Sequence, residues 1–446
     1  MPTTPVKVAA LPEPTAWESG EGALTAEWLT AALRSSGEIN ASAEVLSFEY
    51  DPVFVCRGEG DRLRRVLLQV EGGTSLSSLF LKELDPQEAA FYEVIAPLVA
   101  QGGVRLPRVI LRGQRLLLLE DLAGTHWDEV EELEPQQLGE PSLEGTSWER
   151  AAKLAATYAR FHSATWDRRE LAATVAHDGD SLAREIIALC SWRRVVAQPW
   201  LPDAVRAAAA AEALGPHTVH FVLAVAPEWA SCESRLHPVA CVVHGDAHGG
   251  NVIDLCRPSQ SDEVDAAHTG EAARCEGRDA TGYPALLDFE FAAFGHPAWD
   301  LAMLIFHLRA RHWAESPAAV VKIIADAYVE ELWRCGVKVY GASECLEDVH
   351  LALLLAFVGF TAERVAEAFE EWWHSGDVHD DLESRRPPVA AESRMLERAL
   401  ESSPAEILAG LPPSVCARYS SGAALQLDEA AGLDIGSWPD DADVQL

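Results

Sequence analysis

The chain has 446 residues, 48% of them hydrophobic, with 70 acidic against 35 basic side chains and a formal charge of −35 at neutral pH. So long a chain exceeds one hydrophobic core and predicts two lobes, while the acidic excess excludes nucleic acid and anionic membrane surfaces as partners, because each phosphate would be repelled. Nine cysteines, an odd number without a CxxC pair, predict reduced thiols in a cytoplasmic protein rather than a disulfide frame or a zinc site.

Residues 1–20 are rich in Pro and small side chains, lack the apolar core of a signal sequence and predict a poorly ordered N-terminus. Thr25 reads as the N-cap of a helix to about Ser35, with Glu27 favoured in its first turn, Leu24, Trp28, Leu29 and Leu33 on one face, and Gly37 as its stop. Strands are predicted over 45–50 and 62–70. Gly58 and Gly60, in the segment between them, would let backbone amides approach a phosphate, although a plain hairpin uses glycines equally well. A third strand, 79–84, holds Lys82 inside an apolar run. Lysines are scarce here, five in all, and one buried in a strand needs an acidic partner. A helix predicted over 88–99 offers Glu88 and Glu93, and kinases use such a pair to hold nucleotide phosphates. An edge-strand lysine facing solvent is the alternative. Val109–Leu111 and Arg115–Leu119 predict a hairpin that runs into Glu120, Asp121 and Leu122.

Past an acidic connector at 128–145, helical spacing predicts elements over 148–166, 181–190, 202–214 and 219–227. Then comes VVHGDAHGGNV, residues 242–252, in which apolar flanks bracket a Gly-rich loop, placing His244, Asp246, His248 and Asn251 on a strand–loop–strand turn. Asp246 precedes Asn251 by five residues, the spacing at which kinase loops place an Asp facing the substrate hydroxyl and an Asn binding a metal ion. Asp288, after the apolar Ala285, Leu286 and Leu287, supplies a second metal carboxylate and is predicted to lie beside Asn251. Each piece alone is an ordinary turn or strand end; together they point to phosphoryl transfer. His248 taken alone reads as a group that orders the loop, since Asp246 is available for the hydroxyl proton. Helices are predicted at 301–311, 317–335 and 345–375. Leu351–Phe360 is apolar but short, and predicts a buried helix rather than a membrane span.

The segments HGDAHGGN and LLDFEFAAFGHPAWDLA resemble the HGDxHxxN and DxE…PxxDLA signatures of the superfamily that includes aminoglycoside phosphotransferases, choline kinases and ecdysteroid-kinase-like proteins. The resemblance extends over most of residues 25–400. It implies an α+β, protein-kinase-like bilobal fold, with an antiparallel-sheet N-lobe over 21–122, a mainly helical C-lobe over 123–402 and a loosely held tail over 403–446. It implies ATP and Mg²⁺ as cofactors, and transfer of the γ-phosphate to an aminoglycoside-, choline-, sugar- or steroid-like alcohol. Carried over residue by residue, it makes Asp246 the group that orients the hydroxyl and takes its proton, and Asn251 and Asp288 the metal ligands. Lys82 would hold the phosphates, with Glu88 preferred to Glu93 because the family's acid precedes the Phe91-Tyr92 step. Glu120 and Leu122 would belong to a hinge whose backbone binds adenine, and Gly58 and Gly60 to a loop over the phosphates. His244 and His248 would structure the catalytic loop, with Asp300 holding its backbone.

Two departures stand out: Gly249 replaces a common proline, and His296 replaces the acid often found before the Pro-Ala step. Neither removes a metal or base group. The family's short hairpin between the two motifs is replaced here by the polar run 256–282, which reads as an inserted mobile loop. Acidic runs at Asp128–Glu134 and Asp377–Glu383, the second just past Trp372 and Trp373, would favour a cationic acceptor if they faced the cleft. In so acidic a chain such runs are ordinarily solvated. Two rival functions remain. One is a nucleotide-binding, pseudokinase-like module, disfavoured because Lys82, Glu88, Asp246, Asn251 and Asp288 are all present. The other is a metal-dependent hydrolase built on His244, Asp246 and His248, which would select a transition metal over Mg²⁺.

Overall fold

The computed structural model describes residues 24–51, 63–71, 76–113, 115–122, 125–126, 147–171, 186–210, 213–254, 284–307, 317–375 and 391–421. Gly58 and Gly60, the N-terminal segment, the 256–282 run and both acidic runs lie outside these residues. Contacts divide the chain into two compact units. The first comprises Met1–Thr146, Arg160–Ala183 and Gly249–Ala292, and the second Ser147–Ala159, Arg184–His248 and Ala293–Leu446.

In the first unit, helix α1 (Ala26–Ser36) starts where the Thr25 hydroxyl accepts the Trp28 N–H at 3.1 Å, and stops at Gly37, whose φ of 78° suits glycine. It lays Trp28, Leu29 and Leu33 against Val66, Leu79, Leu81, Ile110 and Leu118 of the sheet, and full burial contributes about 1.5–3 kcal/mol per large apolar side chain. The sheet runs β1 (Val45–Tyr50), β2 (Leu63–Val70), β3 (Ser78–Glu83), β5 (Leu116–Glu120), β4 (Val109–Arg112), with every neighbouring pair antiparallel. In the central strand, Lys82 lies opposite Leu63 on one side and Leu117 on the other, which removes the edge-strand reading of this lysine.

The helix predicted over 88–99 begins two residues earlier and is not continuous. Asp85 caps Pro86–Ala90 by accepting the N–H groups of Gln87 (2.7 Å) and Glu88 (3.1 Å). A π turn, Phe91–Ile95, follows, and α-helix resumes over Ala96–Gln101. Pro97 accounts for the break: it has no N–H to give to Glu93, and its ring crowds that carbonyl, so the turn widens and Ala96 donates to Phe91 instead. A smaller sheet pairs Val252–Asp254 with both Thr125–His126 and Ala285–Leu286, burying Ile253 and Ala285 against Leu122. This pairing draws 249–292 into the same unit as β1–β5, where the sequence suggested a single cut after residue 122.

Among the described residues, the second unit is helical apart from the antiparallel pair Cys241–Val243 and Ala293–Gly295. The helix Ala342–Ser375 is the longest described, and its most apolar 18-residue stretch is 78% buried inside the protein, as a core helix requires. Its other described helices include Ile187–Val196, Leu201–Ala210, Pro216–Val225, Ala298–His307 and Pro317–Arg334. Of the predicted loose tail, 403–421 is described and contains Pro404–Leu408 and Pro413–Ser421, which bury Ile407, Leu411 and Val415, while 422–446 lies outside the described residues. Proline at the first position of each sets its start, and a composition rich in Ala, Ser and Asp hid the few apolar anchors. Glu397 helps tie this region down by accepting the N–H groups of His217 (3.0 Å) and Thr218 (2.7 Å), which caps Pro216–Val225.

Candidate active site

The first unit holds a buried ammonium gathered among carboxylates. The Lys82 Nζ lies 2.9 Å from Glu88 Oε2, 2.5 Å from Asp288 Oδ1 and 3.7 Å from Glu290 Oε2. Lys82 and Glu88 are almost fully enclosed, whereas the Asp288 side chain keeps 26% of its surface open. Burial works against the Lys82 charge, but Glu88 and then Asp288 and Glu290 outweigh it and raise the amine above its ordinary range. Burial, with the Asp288 charge adding to it, raises the Glu88 carboxyl against the pull of Lys82. One ammonium among three carboxylates leaves the cluster short of positive charge.

Glu88, not Glu93, reaches Lys82; Glu93 is exposed and pairs with Arg112. The Asp85 cap fixes which face of the short helix turns inward. Glu88 also accepts the Phe289 N–H at 3.3 Å, and the Phe289 ring stacks on Phe91 with centroids 3.9 Å apart, while Gln87 donates to the Ala292 carbonyl. The segment 288–292 is therefore fastened to the element that carries Glu88. Asp288 has φ 58°, one of two positive-φ residues other than glycine among the described residues. Such a conformation persists only where surrounding contacts over-determine it, and it clusters at functional sites. Asn251 ends the turn Gly249–Asn251, and its carbonyl accepts the Leu287 N–H at 2.9 Å, which brings it beside the residue preceding Asp288.

The Glu120 N–H donates to the Arg108 carbonyl at 2.9 Å, and the Glu120 carboxylate holds Arg105 at 2.6 Å. Asp121 accepts from Arg65 at 2.8 Å. The Glu120 amide is thus engaged in the sheet. Leu122 is buried, against Ile253 and Ala285.

In the second unit, Cys241–Val243 delivers the loop that carries His244, Asp246 and His248. Asp300, in the first turn of Ala298–His307, is fully buried and accepts the His244 N–H on Oδ2 at 2.6 Å and the Gly245 N–H on Oδ1 at 3.0 Å. Gly245 has φ 82°, which glycine alone adopts cheaply, so the loop can turn sharply between these two bonds. His244 is buried with its ring edge-on to Tyr158. The His248 Nε2 stands 3.2 Å from Asp246 Oδ2, and its N–H donates to the Asp246 carbonyl at 3.0 Å. Asp246 keeps 29% of its side chain exposed. Burial, reinforced by Asp300, holds the Cys241 thiol protonated. Among the described residues, the His, Cys, Asp and Glu donors grouped within 4.8 Å are those of His217, Glu397 and Glu401, not His244, Asp246 and His248, so the hydrolase's ligand set is not assembled.

Sequence reasoning missed Glu290 and Phe289 as members of the Lys82 cluster. The signal was present in the DFE of the second motif, two residues from Asp288 and one residue from it.

No curated protein sequence matches the chain. Among solved structures it is similar to a choline kinase from Cryptosporidium parvum (10% identity, 86% of this chain and 97% of that one, TM-score 0.44). It is also similar to an aminoglycoside 2'-phosphotransferase IIIa in a GDP complex (12% identity, 86% and 100%, TM-score 0.43). A third is an amicoumacin kinase bound to AMP-PNP and Ca²⁺ (15% identity, 82% and 90%, TM-score 0.42). No residue role is taken from these likenesses. A family model described as APH, a phosphotransferase enzyme family, matches residues 58–257. That span includes Lys82, Glu88, Asp246 and Asn251, and what it matches is the phosphotransferase family that the HGDAHGGN motif resembles.

Proposed function

We propose that the chain is an ATP-dependent O-phosphotransferase that moves the γ-phosphate of ATP to a hydroxyl of a small-molecule alcohol. The observation that carries this reading is the buried Lys82 ammonium among Glu88, Asp288 and Glu290, supported by the family match over 58–257. The donor set fits Mg²⁺: Asp288 and Asn251 offer carboxylate and amide oxygens, which suit a hard cation, and a divalent ion would offset the excess of carboxylates around one ammonium. Asn251 and Asp288 would hold it, and its chemistry would be to neutralise charge on the phosphate oxygens.

The protein's own groups then do the following. Lys82, kept charged by its carboxylates, binds the nucleotide phosphates, and Glu88 holds the amine in place. Asp246 orients the acceptor hydroxyl and takes its proton as the oxygen attacks phosphorus. Asp300 fixes the backbone from which Asp246 projects, and His244 and His248 order that loop. Catalysis of this kind is mainly positioning and charge stabilisation.

The test is ATP consumption across a panel of aminoglycoside, choline-like, sugar and steroid alcohols, with the phosphorylated product confirmed by mass. Asp246→Asn is expected to retain MgATP affinity and lose about 10²–10⁴-fold in turnover, the usual worth of a positioned base. Unimpaired turnover in that variant overturns the role of Asp246. A wild-type chain that binds MgATP and transfers phosphate to nothing overturns the enzyme reading in favour of a binding module.

A further inference from the structure

Asp348, on the helix Ala342–Ser375, is 1% exposed, and four groups converge on its two oxygens. The Oδ1 accepts the His237 N–H at 3.2 Å and lies 3.0 Å from His237 Nδ1. The Oδ2 accepts the Tyr340 hydroxyl at 2.8 Å and lies 3.2 Å from His296 Nε2, which approaches off the hydrogen-bond line. His296 Nδ1 accepts the Ala298 N–H at 3.1 Å. That bond requires the imidazole proton on Nε2, so the nitrogen facing Asp348 carries an N–H. Burial alone would raise the Asp348 carboxyl, but His296, His237 and Tyr340 outweigh it and hold it below the usual carboxylate range.

The placement of these partners gives the cluster a role. His237 lies four residues before the strand Cys241–Val243, and His296 directly follows the strand Ala293–Gly295. Cys241 pairs with Gly295 and Val243 with Ala293, so both histidines sit at one end of this two-stranded ladder and the Asp246 loop leaves from the other. His296 also introduces the helix whose Asp300 grips His244 and Gly245. One buried carboxylate thus holds the strand that delivers the loop and the helix that anchors it.

We propose that Asp348, acting through His237 and His296, is a positioning residue for the loop that carries Asp246. The role assigned to Asp246 rests on the phosphotransferase reading, whereas the clamp itself does not. An acid at position 296 would face Asp348 as a second buried carboxylate, whereas the imidazole there turns an N–H toward it.

The experiment uses the full chain with Asp348→Asn, His296→Gln and His296→Leu. Amide exchange at His244 and Gly245 is followed by mass spectrometry or NMR, and ATP hydrolysis is measured with MgATP as the probe. The clamp predicts exchange at His244 and Gly245 faster by about tenfold or more in Asp348→Asn and His296→Leu, while amides of Pro317–Arg334 keep their protection. It further predicts kcat lower by about tenfold or more with the MgATP KM changed less than about twofold, the split expected when only the loop is displaced. His296→Gln, which retains a side-chain N–H donor, should restore most of both. If Asp348→Asn does not fold, the His296 pair carries the comparison alone. Unchanged loop exchange in His296→Leu, or exchange raised equally throughout the unit, overturns the proposal. A wild-type chain without ATP turnover defeats the phosphotransferase reading and leaves the exchange result to decide the clamp.

Discussion

Replacing Lys82 with Met keeps the side chain's length and apolar stem and removes the one charge that balances Glu88, Asp288 and Glu290. Taking one partner out of a buried ion pair costs about 3–5 kcal/mol, because the remaining charge is left uncompensated. At about 2–4 °C per kcal/mol for a cooperative unit of 150–250 residues, the melting temperature at neutral pH should fall by about 6–20 °C. The pH dependence is more diagnostic. In the wild type the Lys82 value is raised above its ordinary 10.5, so the ammonium's contribution is complete below that value and is lost only as pH rises through the higher folded one. It is therefore constant from about pH 5 to pH 9. In Lys82→Met, buried carboxyls such as Glu88, already raised by burial, lose their counter-charge, and the folded state binds protons more readily than the unfolded chain. Stability of the variant must then rise as pH falls through the raised carboxyl values, and the deficit relative to wild type should narrow toward acid pH. Differential scanning calorimetry of both proteins as pH is lowered measures it. Calorimetry with MgATP should show binding lost in the variant at every pH. A variant as stable as wild type at pH 8, or a deficit that does not change with pH, would refute the picture of three carboxylates gathered on one buried ammonium.

Asp300→Asn replaces one of the two acceptors that hold His244 and Gly245 with an N–H donor facing an N–H. A hydrogen bond to a charged group contributes about 1.5–3 kcal/mol, so a loss of that size is expected in chemical denaturation, with turnover falling further than MgATP affinity. Equal losses in both would show that the carboxylate acts on the whole unit rather than on the loop. Gly359→Ala sets two effects against each other: alanine gains about 1 kcal/mol of helix propensity, but its Cβ would lie 2.4 Å from the Trp192 ring. Trp192 is buried, bonded to Glu363 at 3.2 Å and packed on Phe360, so it has little room to retreat. Overpacking costs about 1–3 kcal/mol, and net destabilisation without change in MgATP affinity is expected; a higher melting temperature would show that the ring does yield.

Features set by neighbours in the chain were legible in the sequence by itself. The Thr25 and Gly37 boundaries of the first helix, the strand holding Lys82, and the spacing of Asp246 to Asn251 are local, because caps, alternation and loop length are properties of consecutive residues. The alternative between Glu88 and Glu93 needed the family pattern, since both lie on a plausible helix; in three dimensions the Asp85 cap and the Pro97-driven π turn decide which acid faces Lys82. What only the tertiary structure decided are the partnerships between distant segments. Lys82 meets Asp288 across 206 positions, Glu290 joins them, and Asp348 gathers His237 and His296 across 111 positions and from a third segment. The sheet pairing that draws 249–292 in with β1–β5 is of the same kind. Propensity and periodicity act over one or two turns of chain, whereas a buried charge finds its counter-charge wherever folding brings one within reach, and no window of sequence contains both ends of that contact.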